Sequence, residues 1–318
     1  MSNCDIVLRN GRIFDPANNV DKITDIVIDK GNIVSIGNYG GEAAKEMDAS
    51  GCMVVPGLID LHIHAFPFTE IGIVPDLFCI PNGVTSAADA GSLGWGTYEQ
   101  HRYYGPLHKV NLKYFVNISG TGFSVHHFPD QMNINLMDGR GKDVLRRLFS
   151  RYRNELAGLK LRVSHGSMRD MGEEPVVAAL KIAEEIDAKI MVHISDTTIP
   201  INRLASMMRP GDILTHCFND KGMTILDENG EILPEVWEAR KRGVLFDVGN
   251  ARIHFGFSTG TRALEQGFLP DTISTDTTCF GAYKKPVMFS LPFVMSKFIA
   301  MGMSVEQVIE CCTTNAAK

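Results

Sequence analysis

His62 and His64 stand two residues apart in the run DLHIH, which extends from Asp60 to His64. This run is typical of a β-strand. Side chains alternate between the two faces of a strand, so both imidazoles are expected on the same face. Two neutral imidazoles placed in this way can hold one divalent metal ion. The pair by itself is also compatible with two hydrogen-bonded histidines of a protein core.

Three further polar residues, His193, His216 and Asp276, each follow a short apolar or β-branched run later in the chain. Burying a lone histidine or aspartate at a strand end is costly unless the group is paired or binds a metal. Independent structural roles for all of these residues are therefore the weaker alternative. Four histidines and one aspartate at strand ends predict a site for one or two metal ions.

Lys160 lies in a similar run, Gly158 to Arg162. A buried lysine tends to lose its proton, and the neutral amine can add carbon dioxide to give a carbamate that bridges two metals. The alternative is a lysine that is paired or extends to solvent. Arg162 shares the strand face of Lys160, where its guanidinium could hold a substrate carboxylate or form an internal salt bridge. His126 and His127 fall on a loop and are interpreted as surface residues.

These residues belong to eight short β-branched runs that alternate with longer, partly helical stretches. The predicted strands are Leu58–His64, Val84–Asp89, Lys113–Ser119, Gly158–Val163, Lys189–Ile194, Asp212–His216, Val244–Val248 and Thr272–Asp276. Helical patterns cover Asp143–Ala157 and Pro175–Ile186. Eight such units in about 250 residues predict an α/β fold, the (β/α)8 or TIM barrel, whose active sites form at the carboxyl ends of the strands. A doubly wound sheet is the main competitor, but no GxGxxG sequence follows a strand.

The first 55 residues differ from the rest of the chain. Asp5–Arg12, Asp25–Ile36 and Met47–Val55 are short β-rich runs separated by glycine turns, and they predict a small antiparallel unit. We therefore expect a small β domain over residues 1–55 and a barrel over residues 56–318.

The composition is that of a globular protein, with 44% hydrophobic residues in a chain of 318 and a net charge of −6. It excludes a disordered chain, and it argues against nucleic acid or an anionic membrane as partner. The N-terminus has no signal-peptide pattern. Seven cysteines without CxxC spacing predict reduced thiols and a cytoplasmic location.

The stretch VPGLIDLHIH, from Val55 to His64, resembles the signature of the amidohydrolase superfamily. These proteins are metal-dependent hydrolases built on a (β/α)8 barrel with a small β-sandwich beside it. The resemblance covers nearly the whole chain. It implies six metal-ligand positions: His62 and His64 on the first strand, Lys160 as the bridging carboxylated lysine, His193, His216, and Asp276 on the eighth strand.

A narrower resemblance is to the dihydroorotase-like deacetylases. The motifs that carry it are DAGS from Asp89, GLKLR from Gly158, THCF from Thr215, RGVLFDVG from Arg242 and PDTISTD from Pro270. This group implies a deacetylase that acts on small acylated amino or hydroxy acids. The alternative is a cyclic-amide hydrolase of the dihydroorotase or hydantoinase type. True dihydroorotases tend to carry an arginine where this chain has Phe66, which disfavours that alternative.

Two departures from the group bear on specificity and completeness. The group usually has Gly-His-Gly where this chain has Gly249-Asn250-Ala251. The chain also ends at Lys318, where the group returns to the small β domain. We therefore expect an incomplete sandwich with exposed strand edges, and a non-catalytic truncated relative is the third alternative.

The resemblance also implies a mechanism. Two divalent metal ions, with zinc as the best expectation, share an activated hydroxide, and carboxylated Lys160 bridges them. Asp276 accepts the proton of the water and returns it to the leaving group. The expected partner is a small-molecule substrate, without nucleic acid or membrane, and many relatives of this kind are homo-oligomers.

Overall fold

A computed structural model describes residues 4–123, 139–168, 171–284 and 290–318. The chain divides into two compact units, Met1–Leu58 and Ile59–Lys318. Within the described ranges, no helix is both long and apolar enough to cross a membrane.

The first unit is a sheet built around its longest strand. Its strands are β1 (Cys4–Asp15), β2 (Val20–Asp29), β3 (Asn32–Ile36), β4 (Ala43–Asp48) and β5 (Met53–Val54). The order is β3-β2-β1-β4, and β5 also pairs with β1. The pairs β1–β2 and β2–β3 run antiparallel, as predicted, but β4 and β5 both pair with β1 in parallel. The prediction of an antiparallel unit is therefore wrong in this half of the sheet.

The parallel pairing has a visible cause in the connection from β3 to β4. This connection crosses to the far side of β1, where Arg9 donates hydrogen bonds to the carbonyl oxygens of Tyr39 and Gly41. The chain then enters β4 in the same direction as β1. Both edge strands, β3 and β4, are largely exposed.

The second unit contains a parallel sheet of seven strands. They are β6 (Leu58–Ile63), β7 (Val84–Gly94), β8 (Asn111–Asn117), β9 (Leu156–Arg162), β10 (Lys189–His193), β11 (Ile213–Thr215) and β12 (Leu245–Asp247). They follow one another in chain order from β6 to β12. A buried apolar cluster of Ala88, Ala90, Phe115, Met191 and Ile213 joins four of these strands.

The residues of the predicted eighth strand form no regular strand, but they link both edges of the sheet. Thr272 forms a parallel bridge with Asp247, the last residue of β12, and Thr277 forms a parallel bridge with Ile63 of β6. The backbone N–H of Asp276 donates to the carbonyl of His62 at 2.7 Å. The sheet is therefore curled, with residues 272–277 bridging its first and last strands.

Helices lie in the connections between the strands and after the bridging segment 272–277. The α-helices are Pro75–Cys79, Tyr98–His101, Arg140–Arg151, His165–Met168, Glu174–Glu185, Ile201–Met207, Pro234–Arg242, Phe257–Glu265, Leu291–Ala300 and Val305–Cys312. Shorter 3-10 turns are Pro16–Asn18, Ile80–Asn82 and Arg102–Leu107, and a π-helical turn covers Phe280–Lys284.

The helix predicted over Asp143–Ala157 differs from the structure. It spans Arg140–Arg151 instead, because Leu156 and the residue after it already belong to β9. Pairing of β9 with β8 overrides the helical pattern there.

Candidate metal centre

A cavity of about 320 Å³ lies at the carboxyl ends of the parallel strands. It is lined by every residue singled out for chemistry from the sequence, namely His62, His64, Lys160, Arg162, His193, His216 and Asp276. Residues separated by up to 214 positions therefore converge on one space. The fold brings the whole predicted set together.

His62 is held by a relay of hydrogen bonds that fixes its proton. Its Nδ1 lies 2.9 Å from the Thr215 hydroxyl, which donates to the Asp247 carboxylate at 2.7 Å. Since a hydroxyl has one proton and a carboxylate only accepts, Thr215 must accept from the His62 Nδ1–H. The His62 Nε2 lone pair is left facing Lys160 Nζ at 3.2 Å. This is the orientation of a metal-ligating imidazole.

His64 and Asp276 complete the first group of candidate ligands. Nδ1 of His64 lies 2.9 Å from the Ser92 hydroxyl, and its Nε2 lies 3.2 Å from Asp276 Oδ1. The same oxygen is 3.4 Å from His62 Nε2, yet it is buried and accepts no hydrogen bond in the described structure. An orphaned buried carboxylate oxygen between two imidazoles fits a cation as its missing partner.

The ionisation of Asp276 agrees with this arrangement. Burial by itself would raise the pKa of the carboxyl, but the facing imidazoles of His62 and His64 outweigh burial and hold it well below its usual range. The Asp276 side chain is therefore an anion at neutral pH.

His193 and His216 form a second group, anchored by backbone carbonyls. Nε2 of His193 donates to the carbonyl of Ser195 at 3.2 Å, and Nδ1 of His216 donates to that of Gly249 at 2.8 Å. The remaining lone-pair nitrogens are thus Nδ1 of His193 and Nε2 of His216. Burial lowers the pKa of both imidazoles well below the usual value, so both are neutral.

Gly249 is required for this contact. It has φ +47°, and a Cβ there would lie 2.6 Å from Nδ1 of His216 and 2.5 Å from the Thr215 hydroxyl. Only a residue without a side chain lets the carbonyl approach the ring this closely.

His254 is a residue of this cavity that the sequence reasoning missed. Its ring centroid lies 4.8 Å from that of His193 and 4.3 Å from that of His216. Two sets of ligand atoms are close enough to share one ion, His62–His216–Asp276 and His193–His216–His254. A lone histidine in a loop gives no sequence signal of this proximity. Asp247 was also missed as a positioning group, although its motif was noted.

Lys160 stands fully buried at the centre of the sheet. Gly91 makes room for it, because a Cβ at that position would lie 2.7 Å from Lys160 Cβ and Cγ. Its Nζ contacts His62 Nε2 and the Met191 sulfur, the latter at 3.6 Å. Burial lowers the pKa of Lys160 to about 8. A substantial neutral fraction is therefore present near neutral pH.

Arg162 lines the cavity beside the second group. Its guanidinium lies 5.3 Å from the Phe123 ring centroid. Among the described residues no hydrogen bond or ion pair engages it, so the predicted alternative of an internal salt bridge is not seen there. His126 and His127 lie outside the described residues.

Two of the candidate ligands have an unusual backbone. His216 has φ 69° and Asp276 has φ 49°, in the left-handed region that non-glycine residues seldom occupy. Both residues sit where a strand or bridging segment ends. The surrounding hydrogen bonds hold the strained conformation at the site.

Comparison with known proteins supports the same conclusion. No protein-family model matches the sequence. A protein from Brucella anthropi named a deacetylase is 30% identical over 303 residues, which cover 93% of this chain and 74% of that protein. A solved dihydroorotase superposes with a TM-score of 0.85 at 28% identity, covering 98% of this chain and 82% of its own. A solved adenine deaminase gives 0.86 at 27%, covering 99% and 84%.

The chain therefore belongs to the amidohydrolase superfamily of TIM-barrel hydrolases and, within it, to the family of the Brucella anthropi deacetylase. The sequence-based predictions of the family and of a hydrolytic enzyme are confirmed. A divalent metal is general in this superfamily, and the two histidine-containing groups of the cavity could hold one.

Proposed function

We propose that this enzyme removes an acyl group, with acetyl as the first choice, from a small acylated amino or hydroxy acid. The observation that supports the proposal is the cavity itself, which Arg162 lines together with the candidate ligand histidines and Asp276. In the described part of the chain, no hydrogen bond or ion pair engages Arg162, and Asp276 Oδ1 accepts no hydrogen bond. The name of the Brucella anthropi relative supports deacetylation. The bond cleaved is an amide or an ester.

The metal ligands we propose are the six of the sequence prediction. His62, His64 and Asp276 would hold one ion, His193 and His216 the other, and carboxylated Lys160 would join them. Zinc suits imidazole and carboxylate donors. When bound, the ions supply a water acidic enough to be a nucleophile at neutral pH and a Lewis acid for the scissile carbonyl.

The environment of Lys160 supports its proposed carboxylation. The neutral Nζ attacks the carbon of carbon dioxide, the new N–C bond forms, and one proton is released to solvent, leaving a carbamate anion. The neutral amine exists because burial lowers its pKa to about 8. Within the described structure no carboxylate lies within ion-pair distance of Nζ, and the polar side chain in contact with it is the imidazole of His62.

Asp276 moves the proton. Among the described residues its Oδ1 accepts no hydrogen bond, so it can accept the proton of the attacking water. It then returns that proton to the leaving nitrogen or oxygen. The low pKa of the carboxyl keeps it in the accepting form beforehand.

Arg162 binds the substrate carboxylate in this proposal. A planar guanidinium matches a carboxylate through two parallel hydrogen bonds. Phe66, which stands where dihydroorotases tend to carry an arginine, is fully buried and packs on Phe68, Tyr104 and Tyr114. It offers the cavity no charge. Two guanidinium side chains line the cavity, those of Arg162 and Arg252, and of the two Arg162 is the half-buried one whereas Arg252 is exposed.

A substrate panel tests the proposal. Acetate release from N-acetyl-amino and acetoxy acids is expected, without ring opening of dihydroorotate or hydantoins. The second candidate function, cyclic-amide hydrolysis, is favoured by the match to a solved dihydroorotase. Ring opening without acetate release would establish it instead. Failure of metal-loaded enzyme in both assays would favour the non-catalytic alternative.

Arg162→Gln sharpens the same test. Loss of charged hydrogen bonds costs about 1.5–3 kcal/mol, so kcat/KM for an acetylated acid should fall roughly 10- to 100-fold. The matched substrate is the corresponding carboxamide, for which the variant should equal the wild type. An equal loss for both substrates would remove Arg162 from carboxylate recognition.

We further propose a cytoplasmic enzyme that can form a homo-oligomer and that acts on a small molecule, without nucleic acid or membrane as partner. All seven cysteines are free thiols, as a reducing compartment allows. Size-exclusion chromatography with light scattering measures the oligomeric state.

A further inference from the structure

His254 has no role in the ligand set above, yet it shares the cavity with that set. A ligand nitrogen from each of His193, His216 and His254 lies within 4.8 Å of the other two. This separation suits three donors around one cation. Within the described structure no hydrogen bond joins the three rings to one another.

One residue orients two of these rings. The carbonyl of Ser195 accepts from His193 Nε2 at 3.2 Å, while the Ser195 hydroxyl lies 3.0 Å from His254 Nδ1. Ser195 is itself fully buried. It therefore fixes both imidazoles from the outside and leaves His193 Nδ1 and His254 Nε2 free for a shared partner, as ligating histidines require.

The surroundings of His254 also suit a cation. Its ring centroid lies 4.8 Å from that of His193 and 4.3 Å from that of His216, and no acidic side chain of the described residues forms a hydrogen bond or ion pair with it. Gathering three imidazoles without mutual hydrogen bonds is unfavourable unless a common partner joins them. Three histidines with an open fourth position form a known type of catalytic zinc site.

We propose that His254 is a seventh metal ligand, which forms with His193 and His216 a three-imidazole site for a divalent ion. This inference rests on the proposed metal centre. It adds that the second ion can be held without the Lys160 carbamate. The resemblance assigns this ion only two imidazoles and the modified lysine.

Zinc binding to metal-free protein tests the inference without any substrate. The variants are Lys160→Ala, Lys160→Ala/His254→Gln and the matched control Lys160→Ala/His165→Gln, since His165 is an exposed histidine outside the cavity. Lys160→Ala and the control should retain at least one zinc per chain, independently of bicarbonate. The His254→Gln double variant should bind that zinc at least 10-fold more weakly in chelator competition.

Cobalt(II) replacement gives a second readout, which reports directly on the ligands of the metal. The visible spectrum of cobalt in the Lys160→Ala background should change with His254→Gln and not with His165→Gln, because ligand number sets the spectrum. Circular dichroism confirms that each variant is folded. If His254→Gln is misfolded, Ser195→Ala in the same background replaces it and should also weaken zinc binding.

Equal zinc affinity and an unchanged cobalt spectrum in the folded His254→Gln double variant would overturn the inference. So would a loss of zinc from Lys160→Ala itself. These outcomes are separate from the fate of the deacylase proposal, since no substrate enters the assay. An enzyme inactive on every acetylated acid could still bind zinc through His254.

Discussion

The two ligand groups of the cavity are oriented by different parts of the protein. His62 and His64 are fixed by side chains, through the Thr215–Asp247 relay and Ser92. His193 and His216 are fixed by backbone carbonyls. The first group also contains the carboxylate of Asp276, whereas the second is made of neutral imidazoles.

The first group therefore contains the proton acceptor, whereas the second group is positioned by the main chain. The side-chain-anchored group carries the anionic proton acceptor, and its tautomers depend on residues that a point mutation can change. The carbonyl-anchored group depends on the path of the main chain, which few substitutions can alter without strain. Substitutions in the first group should therefore affect turnover and metal binding at constant stability. Substitutions that disturb the main-chain path around the second should affect metal binding and stability together.

Asp276→Asn should have the largest effect. An amide cannot accept the proton, and loss of a general acid–base group costs about 10²- to 10⁴-fold in rate. We expect kcat to fall at least about 10³-fold, while the zinc of the second group stays bound by elemental analysis. Turnover near the wild-type value would refute the role of Asp276 as proton carrier.

Gly249→Ala should damage the second group through the backbone. The added Cβ meets His216 Nδ1 at 2.6 Å in a left-handed conformation. Strain and overpacking together cost about 2 kcal/mol, so the urea midpoint should fall along with zinc retention. Gly267→Ala has a similar φ of +76° with open space around it, and it controls for strain alone. If both variants bind zinc equally, the close carbonyl contact is not what positions His216.

Asp247→Asn tests whether the metal affinity of the first group depends on the tautomer of His62. The amide can donate to Thr215, so the hydroxyl no longer has to accept from His62 Nδ1–H. Metal affinity should fall roughly 10- to 100-fold, measured by chelator competition. Asp212→Asn is the matched control, because that buried carboxylate is paired with Arg209 away from the cavity. An equal loss of affinity in the control would attribute the effect to general destabilisation.

Lys297→Met should have the smallest effect. Lys297 Nζ donates to Asn250 Oδ1, next to Gly249, and lies 3.9 Å from the Phe255 ring centroid. Burial lowers the pKa of Lys297 to about 8, against about 10.4 in the unfolded chain. Between these values the unfolded state binds more protons, so this group makes stability rise with pH.

Between pH 8 and 10 the free energy of unfolding in urea should therefore rise less for the variant than for the wild type. The zinc affinity of the variant should change less than about threefold, within the range of a single weak contact. Identical pH profiles for both proteins would show that Lys297 is not desolvated. A large loss of zinc would mean that the Asn250 loop, and not only Gly249, fixes the second group.

Most of the candidate site could be predicted from the sequence because its residues follow strands. Strand periodicity placed His62 and His64 on one face, and the apolar runs located His193 and His216. His254 could not be found in this way. Its position depends on how the loop after β12 folds back over Ser195, which no local pattern records.

The fold was predictable where local patterns and pairing agree. Seven of the eight predicted strands of the second unit are present, at nearly the expected positions. Residues 272–277 form no regular strand and only bridge the sheet, because they alternate hydrogen bonds between its two edges. The parallel pairing of β4 with β1 depends on a crossing connection, and turn signals alone do not distinguish it from a hairpin.

The left-handed backbone of His216 and Asp276 has a consequence for the evolution of the enzyme. Asparagine and glycine adopt positive φ more readily than most residues, so either can replace these two ligands without disturbing the chain path. A lineage released from selection for hydrolysis would lose its metal first at these two positions, at little or no cost in folding. Its descendants would keep the same barrel, with asparagine or glycine recording where an active enzyme once bound its ions.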